Sequence, residues 1–292
     1  MFNGFETLAV ETPQVRFSGV MGGKGPALLL LHGYPQTHLT WRFVAPALIE
    51  NYTVVVPDLP GYGDSEIVER DGPRWTKRRV AAALAAMMDV LGHDRFTVIG
   101  HDRGARVGYR MALDFAARVA GYASVTVIPT YDVWQTVDMG FGMGAFHWFM
   151  LAQEHDLPER LLASDPDAFI DAALKGMAGS LDRFEPEVLE RYRAAFRKPS
   201  VRHAICEDYR SAAKEDLAHD TFDKETGHKL ACPVMVLWPQ SRSDHGKTPL
   251  EVWRGWADDV TGAAISGGHL LQEFSSADVI ENLLPFVERV AR

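Results

Sequence analysis

A short stretch in the first half of the chain combines a nucleophilic side chain with flanking glycines. Residues 100–104 read Gly-His-Asp-Arg-Gly, so one carboxylate, Asp102, stands between two positions without a side chain. The residues before it, 96–99, have the composition of a strand, and residues 103–117 have that of a helix. A sharp turn from strand to helix exposes the central side chain above a sheet, the arrangement called a nucleophile elbow. The stretch therefore predicts a nucleophile at Asp102.

An aspartate at this position implies a different reaction from the serine that such elbows usually carry. A free aspartate has a pKa of about 4, so Asp102 is ionised at neutral pH without help from a base. The N-terminus of the following helix favours the anion further. A carboxylate nucleophile displaces a leaving group from a saturated carbon and leaves a covalent ester on the enzyme. Water must then cleave this ester, which requires a general base.

The general base is predicted near the end of the chain. His269 follows two glycines, Gly267 and Gly268, just after the last predicted strand, near residues 263–265. The order of nucleophile and then histidine is the one that this kind of elbow requires. An oxyanion formed during ester hydrolysis needs two backbone N–H donors, which we assign to Arg103, next to the nucleophile, and to Tyr34, in the loop after the predicted strand 27–31.

Two arginines follow the nucleophile, at positions 103 and 106. Residues three apart share one face of a helix, so Arg103 and Arg106 both lie in its first turn on the same side. Two guanidinium groups beside a nucleophile grip a carboxylate through paired, charge-assisted hydrogen bonds. The pair therefore predicts a small substrate that carries a carboxylate, with its leaving group on the adjacent carbon.

The elements around these residues alternate between strand and helix in both outer parts of the chain. This alternation is typical of a parallel sheet with crossover helices on its faces. Among the predicted elements before residue 131 are a helix at 41–49 and a strand at 123–128. Between residues 131 and 229 the sequence shows helical segments only, at 146–153, 166–177, 186–196 and 201–213. We therefore predict one α/β domain formed by residues 1–130 and 230–292, interrupted by a helical insertion at residues 131–229.

The overall composition excludes several classes of function. The 292 residues carry a net charge of −9, which disfavours binding to nucleic acid or to an anionic membrane surface. Two cysteines, Cys206 and Cys232, are too few for a disulfide framework and indicate reduced thiols. No secretory signal, membrane-spanning run, metal-ligand cluster or nucleotide-binding loop is found in the sequence. We expect a cytoplasmic enzyme without metal or cofactor.

Several motifs resemble those of one known family, the fluoroacetate (haloacetate) dehalogenases of the α/β-hydrolase fold. The resemblance extends over nearly the whole chain and is strongest in G-H-D-R-G-A-R at residues 100–106. The other motifs are H-G-Y-P-Q-T at 32–37, D-L-P-G-Y-G-D-S at 58–65, F-H-W at 146–148, C-E-D-Y-R at 206–210 and G-G-H at 267–269. The family implies an eight-stranded, mostly parallel sheet with a helical cap inserted after the sixth strand.

The resemblance also implies a role for each matching residue. Asp102 would be the nucleophile, Arg103 and Arg106 the clamp on the substrate carboxylate, and His269 the base that activates water. Three residues of the cap would donate hydrogen bonds to the departing halide: His147, Trp148 and Tyr209. Because fluoride is a poor leaving group, donors aimed at its developing charge are needed. The family further implies a homodimer.

One position departs from the family pattern. The acid that orients the histidine should stand just after the sixth strand, where this chain has Thr126. A threonine accepts a hydrogen bond but cannot stabilise an imidazolium by charge. Asp244, after the seventh predicted strand, and Asp132, at the start of the cap, are the two possible substitutes. Without a substitute acid, hydrolysis of the ester intermediate should be slow even if its formation is not.

Two other functions stay open at this point. An epoxide hydrolase on the same fold needs two cap tyrosines to activate the epoxide oxygen, and Tyr192 and Tyr209 are candidates. The arginine pair has no evident task in that reaction. A second alternative is a hydrolase-fold protein that binds or senses a small acid without turnover, because fold alone does not decide function. The missing acid favours this alternative, and the presence of both Asp102 and His269 opposes it.

Overall fold

The protein is built around one mostly parallel sheet, described here from a computed structural model that covers residues 1–69, 72–241 and 246–291. In this part of the chain the strands are β1 (Phe5–Glu11), β2 (Val15–Gly22), β3 (Ala27–Leu31), β4 (Thr53–Pro57), β5 (Glu66–Ile67), β6 (Phe96–His101), β7 (Val119–Val125), β8 (Val234–Pro239) and β9 (Val260–Ile265). Eight of them follow the order β1-β2-β4-β3-β6-β7-β8-β9. The ninth, β5, has two residues and pairs with β2. The predicted α/β class is confirmed.

The central strands are buried because their sequences are apolar on both faces. β3, β4, β6, β7 and β8 are buried along their whole length. Runs such as Ala-Leu-Leu-Leu-Leu in β3 are typical of parallel strands that carry helices on both sides. β1 and β2 are antiparallel at one edge, and β1 there alternates between buried and exposed residues.

The helices cover both faces of the sheet. Along the described chain they are α1 (Lys77–Val90), α2 (Arg103–Asp114), α3 (Thr130–Gln135), α4 (Met139–Gly144), α5 (His147–Leu151), α6 (Leu157–Ser164), α7 (Pro166–Ala178), α8 (Pro186–Phe196), α9 (Pro199–Ala213), α10 (Glu215–Thr226), α11 (Pro249–Trp253), α12 (Leu271–Phe274) and α13 (Ser276–Val290). Leu84 of α1 and Tyr109 of α2 pack on one face, in the same cluster as Val98. Leu283 of α13 packs on the other face, in the cluster of Ile99. None of the helices in the described residues is long and apolar enough to span a membrane.

All the segments between β7 and β8 that have regular structure are helical. Residues 130–226, which are fully described, contain α3 to α10 and no strand. Six strands other than the two-residue β5 precede this insertion, which agrees with the place that the family resemblance implies. The helices predicted at 166–177, 186–196 and 201–213 are found within two residues of those bounds. α4 was not predicted, because three of its six residues are glycine and it has no apolar stripe.

Two sequence predictions of local structure are wrong. Residues 41–49 were predicted as one helix, but the chain there forms two separate 3-10 turns, His38–Trp41 and Ala45–Ala47. Pro46 within the second turn lacks the N–H that a continuous helix would need. The strand predicted at 123–128 begins four residues earlier and ends at Val125, because Thr126 takes a positive φ of 71° and breaks the extended backbone.

The elbow helix α2 lies very close to the end of strand β3. A methyl group on Gly104 would lie 2.3 Å from the carbonyl oxygen of His32 and 2.5 Å from that of Leu31. Both distances are far below van der Waals contact, and both obstructing atoms belong to the backbone. The flanking glycine at 104 is therefore required for the close approach of helix and strand.

Gly104→Ala should lower the free energy of unfolding by about 2–3 kcal/mol, because the backbone must move to admit the methyl group. Urea unfolding measures the change. Gly176→Ala is the matched control, since Gly176 is an exposed position of α7 with open space around it. This control should gain about 0.5–1 kcal/mol from helix propensity. Equal effects of the two substitutions would contradict the steric explanation.

Candidate active site

Asp102 stands at the turn between β6 and α2 in a strained conformation. Its φ of 48° and ψ of −116° lie outside the usual regions for a residue with a side chain. Such a conformation costs about 1–3 kcal/mol and is found mainly at functional sites. The backbone N–H of Tyr34 donates a hydrogen bond to Asp102 Oδ1 over 2.9 Å. A methyl group at Gly33 would lie 2.5 Å from that oxygen, so a glycine is needed for this contact.

The surroundings keep the Asp102 carboxylate ionised. Burial alone would raise its pKa, but the hydrogen bond and charge of His269, with the charge of Arg103, hold the pKa of Asp102 well below its usual range. A carboxylate that is already charged is a nucleophile that needs no base for activation. The predicted nucleophile therefore has the charge state that displacement requires.

His269 lies beside the nucleophile. Its Nε2 is 3.5 Å from Asp102 Oδ2, and 30% of its side chain is exposed, so water can reach the ring. The residue follows β9 in the sequence, and its backbone carbonyl accepts a hydrogen bond from His101 Nε2 over 2.9 Å. Burial lowers the pKa of His101 to about 3, so this ring is neutral and carries its proton on the nitrogen that faces the carbonyl. His101 was not predicted as a site residue, although it stands within the elbow motif.

The orienting acid is not found among the described residues. Thr126 lies buried at the end of β7, and its N–H donates to the Leu237 carbonyl over 2.8 Å. The Asp132 carboxylate instead accepts a 2.7 Å hydrogen bond from Trp256 Nε1, and burial raises its pKa. Asp244 lies outside the described residues. Within residues 1–69, 72–241 and 246–291, the carboxylate of Asp102 is the one that approaches His269.

Arg103 is fully buried and partly committed to another carboxylate. Its Nε lies 3.0 Å from Asp208 Oδ1, and its Nη2 donates to the same oxygen over 2.5 Å and to the Asp208 carbonyl over 3.0 Å. The guanidinium lies 4.2 Å from the centre of the Tyr209 ring and 5.4 Å from that of Trp148. Its Nη1 is buried and has no hydrogen-bond partner among the described residues. This nitrogen is the part of Arg103 that can bind a substrate.

Arg106 approaches the same aromatic side chain from the next turn of α2. Its guanidinium lies 4.9 Å from the centre of the Trp148 ring, so the two arginines flank one indole. Arg106 Nη1 donates to the carbonyl of Ile128 over 3.2 Å and to the hydroxyl of Thr130 over 2.9 Å. The two predicted clamp residues are thus brought together on one side of the elbow.

A cluster of aromatic side chains from the insertion meets the loop after β3. The ring centre of His147 lies 5.5 Å from that of Tyr34 and 5.6 Å from that of Tyr209, and Trp148 lies 5.9 Å from Tyr209. Burial lowers the pKa of His147 to about 4, so the ring is neutral at pH 7. Burial also raises the pKa of Tyr209 well above its usual value, so the hydroxyl keeps its proton. All three predicted halide-binding residues therefore carry a polar hydrogen.

Tyr192 lies in a different cluster. Its hydroxyl is 3.2 Å from Glu273 Oε2 and accepts a hydrogen bond from Gln36 Nε2 over 3.3 Å. The Glu273 carboxylate is also paired with Arg42 over 2.6 Å. Of the two tyrosines that an epoxide hydrolase would need, only Tyr209 is therefore seen beside the elbow.

A chain of hydrogen bonds extends from Arg106 to a buried carboxyl group. The Thr130 hydroxyl that accepts from Arg106 lies 2.9 Å from the hydroxyl of Tyr109. That hydroxyl donates to Asp220 Oδ2 over 2.7 Å, and the backbone N–H of Tyr131 donates to the same oxygen over 3.1 Å. Burial raises the pKa of Asp220 to about 7. These hydrogen bonds connect the elbow helix α2 to α3 and α10 of the insertion.

No group of three or more histidine, cysteine or carboxylate side chains suited to a metal ion is found in the described part of the chain. The side chains at the site are a carboxylate, a histidine beside it, two buried cations and several groups with polar hydrogens. Cys206 and Cys232 are both buried and unpaired, and neither contributes to this group.

The chain is similar to several hydrolases over almost its whole length. A family profile described as an alpha/beta hydrolase fold matches residues 26–275. A fluoroacetate dehalogenase from Burkholderia sp is 38% identical, over 98% of this chain and 95% of that protein. A soluble epoxide hydrolase from Corynebacterium sp. (strain C12) is 30% identical, over 93% of each chain. A Pseudomonas aeruginosa structure described provisionally as an epoxide hydrolase has a TM-score of 0.96 at 48% identity, covering 99% of this chain and 98% of that one.

The Asp220 carboxyl should make stability depend on pH. Its folded pKa is raised above the unfolded value of about 4, so the stability it provides is present at low pH and is lost as the pH rises through about 7. Asp220→Asn keeps an oxygen for Tyr109 and Tyr131 but cannot ionise. The unmodified protein should therefore lose stability relative to Asp220→Asn as the pH rises. The difference between their free energies of unfolding should change by a few kcal/mol in favour of the variant between pH 5 and pH 8. Urea unfolding at both pH values gives this difference, and a constant value would contradict the prediction.

Proposed function

Because this chain belongs to the α/β-hydrolase family and is related over nearly its whole length to a fluoroacetate dehalogenase, we propose that it removes halide from haloacetates by hydrolysis. The observation that carries the proposal is the set of groups around Asp102. An ionised carboxylate nucleophile, two buried arginines and three side chains of the insertion that carry polar hydrogens lie close together. This combination suits a small anionic substrate that loses an anion.

In the first step, Asp102 attacks the carbon that carries the halogen. Oδ1 is held by the N–H of Tyr34, so Oδ2, which faces His269, is the attacking oxygen. The new carbon–oxygen bond forms as the carbon–halogen bond breaks, and the halide leaves with the bonding electron pair. Hydrogen bonds from His147, Trp148 and Tyr209 stabilise the charge that develops on the halide. The product of this step is an ester of Asp102 with glycolate.

In the second step, water cleaves the ester. His269 removes a proton from a water molecule, which attacks the carbonyl carbon of Asp102. The backbone N–H groups of Tyr34 and Arg103 stabilise the negative oxygen of the tetrahedral intermediate. Collapse of the intermediate restores the Asp102 carboxylate, and the proton on His269 passes to the departing glycolate hydroxyl. The overall reaction consumes one water and releases glycolate, halide and a proton.

The helical insertion supplies the lid of this site. Residues 131–229 act as a cap over the core formed by residues 1–130 and 230–292, since α5 and α9 bring His147, Trp148 and Tyr209 to the elbow. Two further predictions are a cytoplasmic location, which the two unpaired cysteines favour, and a homodimer, which the family resemblance implies.

Two alternative functions receive less support. Epoxide hydrolases are among the relatives of the chain, but Tyr192 is engaged by Glu273 and Gln36 rather than turned to Asp102. A protein that only binds a small acid would not need a histidine 3.5 Å from the nucleophile. With a haloacetate substrate, the nucleophile, the histidine, the two arginines and the donors of the insertion each have a role.

Incubation with fluoroacetate and chloroacetate should give sustained release of halide from the unmodified protein. His269→Asn should release one halide per chain and then stop, because the ester forms but its hydrolysis lacks a base. Halide assays combined with intact-protein mass spectrometry follow both events. Asp102→Asn is the control, and it should give neither halide nor adduct. If the unmodified protein yields no halide and no adduct, the dehalogenase proposal is wrong and epoxides become the next substrates to test.

Asp244 follows β8 in the sequence and is our candidate for the acid that orients His269. Asp244→Asn should slow hydrolysis of the ester at least about tenfold and let the adduct accumulate. Adding Thr126→Asp to this variant should restore turnover, because an acid then stands at the position implied by the family. Asp132→Asn is the matched control and should keep its rate, since that carboxylate binds Trp256.

Single-turnover kinetics of ester hydrolysis, measured with chloroacetate, compare these variants. If Asp244→Asn hydrolyses the ester at the unmodified rate, Asp244 is not the acid. Thr126→Asp alone should then accelerate hydrolysis, because His269 would lack any carboxylate on its second nitrogen.

A further inference from the structure

Asp208 is a buried carboxylate that contacts a site arginine but has no role in the chemistry described so far. It lies on α9, next to Tyr209, and belongs to the insertion. Its Oδ1 accepts from two nitrogens of Arg103, at 3.0 Å and 2.5 Å, and its carbonyl accepts from Nη2 at 3.0 Å. The pKa of Asp208 is held well below its usual range by the charges of Arg103 and Lys77, which overcome the effect of burial. Asp208 is therefore a fixed negative charge.

Both oxygens of the Asp208 carboxylate are bound by groups from the core. Lys77 Nζ, at the start of α1, pairs with Oδ1, and the hydroxyl of Tyr62 donates to Oδ2 over 2.9 Å. Lys77 is in turn held by Asp216, whose Oδ2 lies 3.4 Å from Nζ. A carboxylate bound from three sides has little freedom to rotate. Its position therefore determines where the Arg103 guanidinium can lie.

This arrangement decides which part of Arg103 faces a substrate. Asp208 occupies Nε and Nη2, and the ring of Tyr209 lies 4.2 Å from the guanidinium carbon. One edge and one face of the planar group are thus fixed, and Nη1 is left buried without a partner in the described residues. Arg103 can then give a substrate carboxylate the NH2 group of Nη1 alone rather than a two-pronged contact from two of its nitrogens.

We infer that Asp208 is a positioning residue that determines specificity, holding Arg103 so that Nη1 is directed at the substrate carboxylate. Asp208 also provides the counter-charge that keeps Arg103 from pairing with Asp102, whose charge interacts with that of Arg103. Substrate binding by the core arginine thus depends on a carboxylate of the insertion. The inference rests on the proposed haloacetate dehalogenase function for its kinetic test, and on carboxylate binding alone for a second test.

Steady-state kinetics with chloroacetate test the inference through Asp208→Ala and Asp208→Asn. Asp208→Ala should raise KM about tenfold or more, with a smaller change in kcat, because one charge-assisted contact to the substrate is misplaced. Asp208→Asn keeps an oxygen that accepts from Nε and should show a smaller rise in KM. Calorimetric titration of each protein with acetate should show that the Kd for acetate increases in both variants in the same order as KM.

Asp216→Asn is the matched control. It removes a buried carboxylate from the same lysine, Lys77, without touching Arg103. It should lower the melting temperature but leave KM and the Kd for acetate within about twofold of the unmodified values. A merely structural role for Asp208 would give the same pattern in Asp208→Ala and Asp216→Asn.

The possible outcomes separate this inference from the proposed function. Unchanged KM and Kd in Asp208→Asn, or values equal to those of Asp216→Asn, would overturn the inference even if Asp208→Ala does not fold. Failure of the unmodified protein to bind acetate would overturn it as well. Acetate binding that weakens in the Asp208 variants, in a protein that releases no halide, would support the inference while rejecting the dehalogenase.

Discussion

The site depends on one costly backbone turn, which places a charged carboxylate between a strand and a helix. Asp102 has φ and ψ values that residues with a side chain usually avoid, at a cost that the surrounding structure must offset. Gly104 lets α2 approach the end of β3, and Gly33 lets the loop after β3 reach the carboxylate. The N–H of Tyr34 then holds one oxygen and leaves the other facing His269. The sheet, the loop after β3 and helix α2 therefore together determine the position of one atom, Oδ2 of Asp102.

Charge is the second constraint, because the site buries several ions in one small volume. Arg103, Lys77, Asp208 and Asp102 are all largely removed from water, which is tolerable only when each charge has a partner. The partners come from different parts of the chain: Arg103 and Lys77 from the α/β core, and Asp208 from the helical insertion. The ion pairs therefore tie the insertion to the core at the point where the substrate would bind. Breaking one of them leaves another buried charge uncompensated.

The sequence was most informative where chemistry is local. The strand-to-helix turn at Asp102 was predictable from five residues, and the approach of His269 to it from the position of that histidine after the last strand. Asp208 was not predicted as a functional residue, although it stands in one of the motifs. A carboxylate on a helix is usually solvated, and only the packing of α9 against α1 and α2 shows that this one is buried.

Similar reasons explain the other differences between expectation and structure. Residues 41–49 have the apolar spacing of a helix and were predicted as one, but Pro46 lacks the N–H that a continuous helix needs, and two 3-10 turns form instead. The cluster of Glu273, Tyr192 and Gln36 joins residues more than 80 positions apart, so no local pattern could indicate that Tyr192 is engaged there. Long-range hydrogen bonds of this kind are decided by the tertiary structure.

The adjacency of Asp208 and Tyr209 on α9 has a consequence for how the site can change. Asp208 contacts Arg103 through its carboxylate, and the Tyr209 ring lies 4.2 Å from the same guanidinium, so one helix places two groups around one arginine. Because both residues belong to the same rigid element, a shift or rotation of α9 moves them together. Under the proposed function, the place of the substrate carboxylate and the place of the leaving group are therefore coupled, and neither can be adjusted through α9 without disturbing the other.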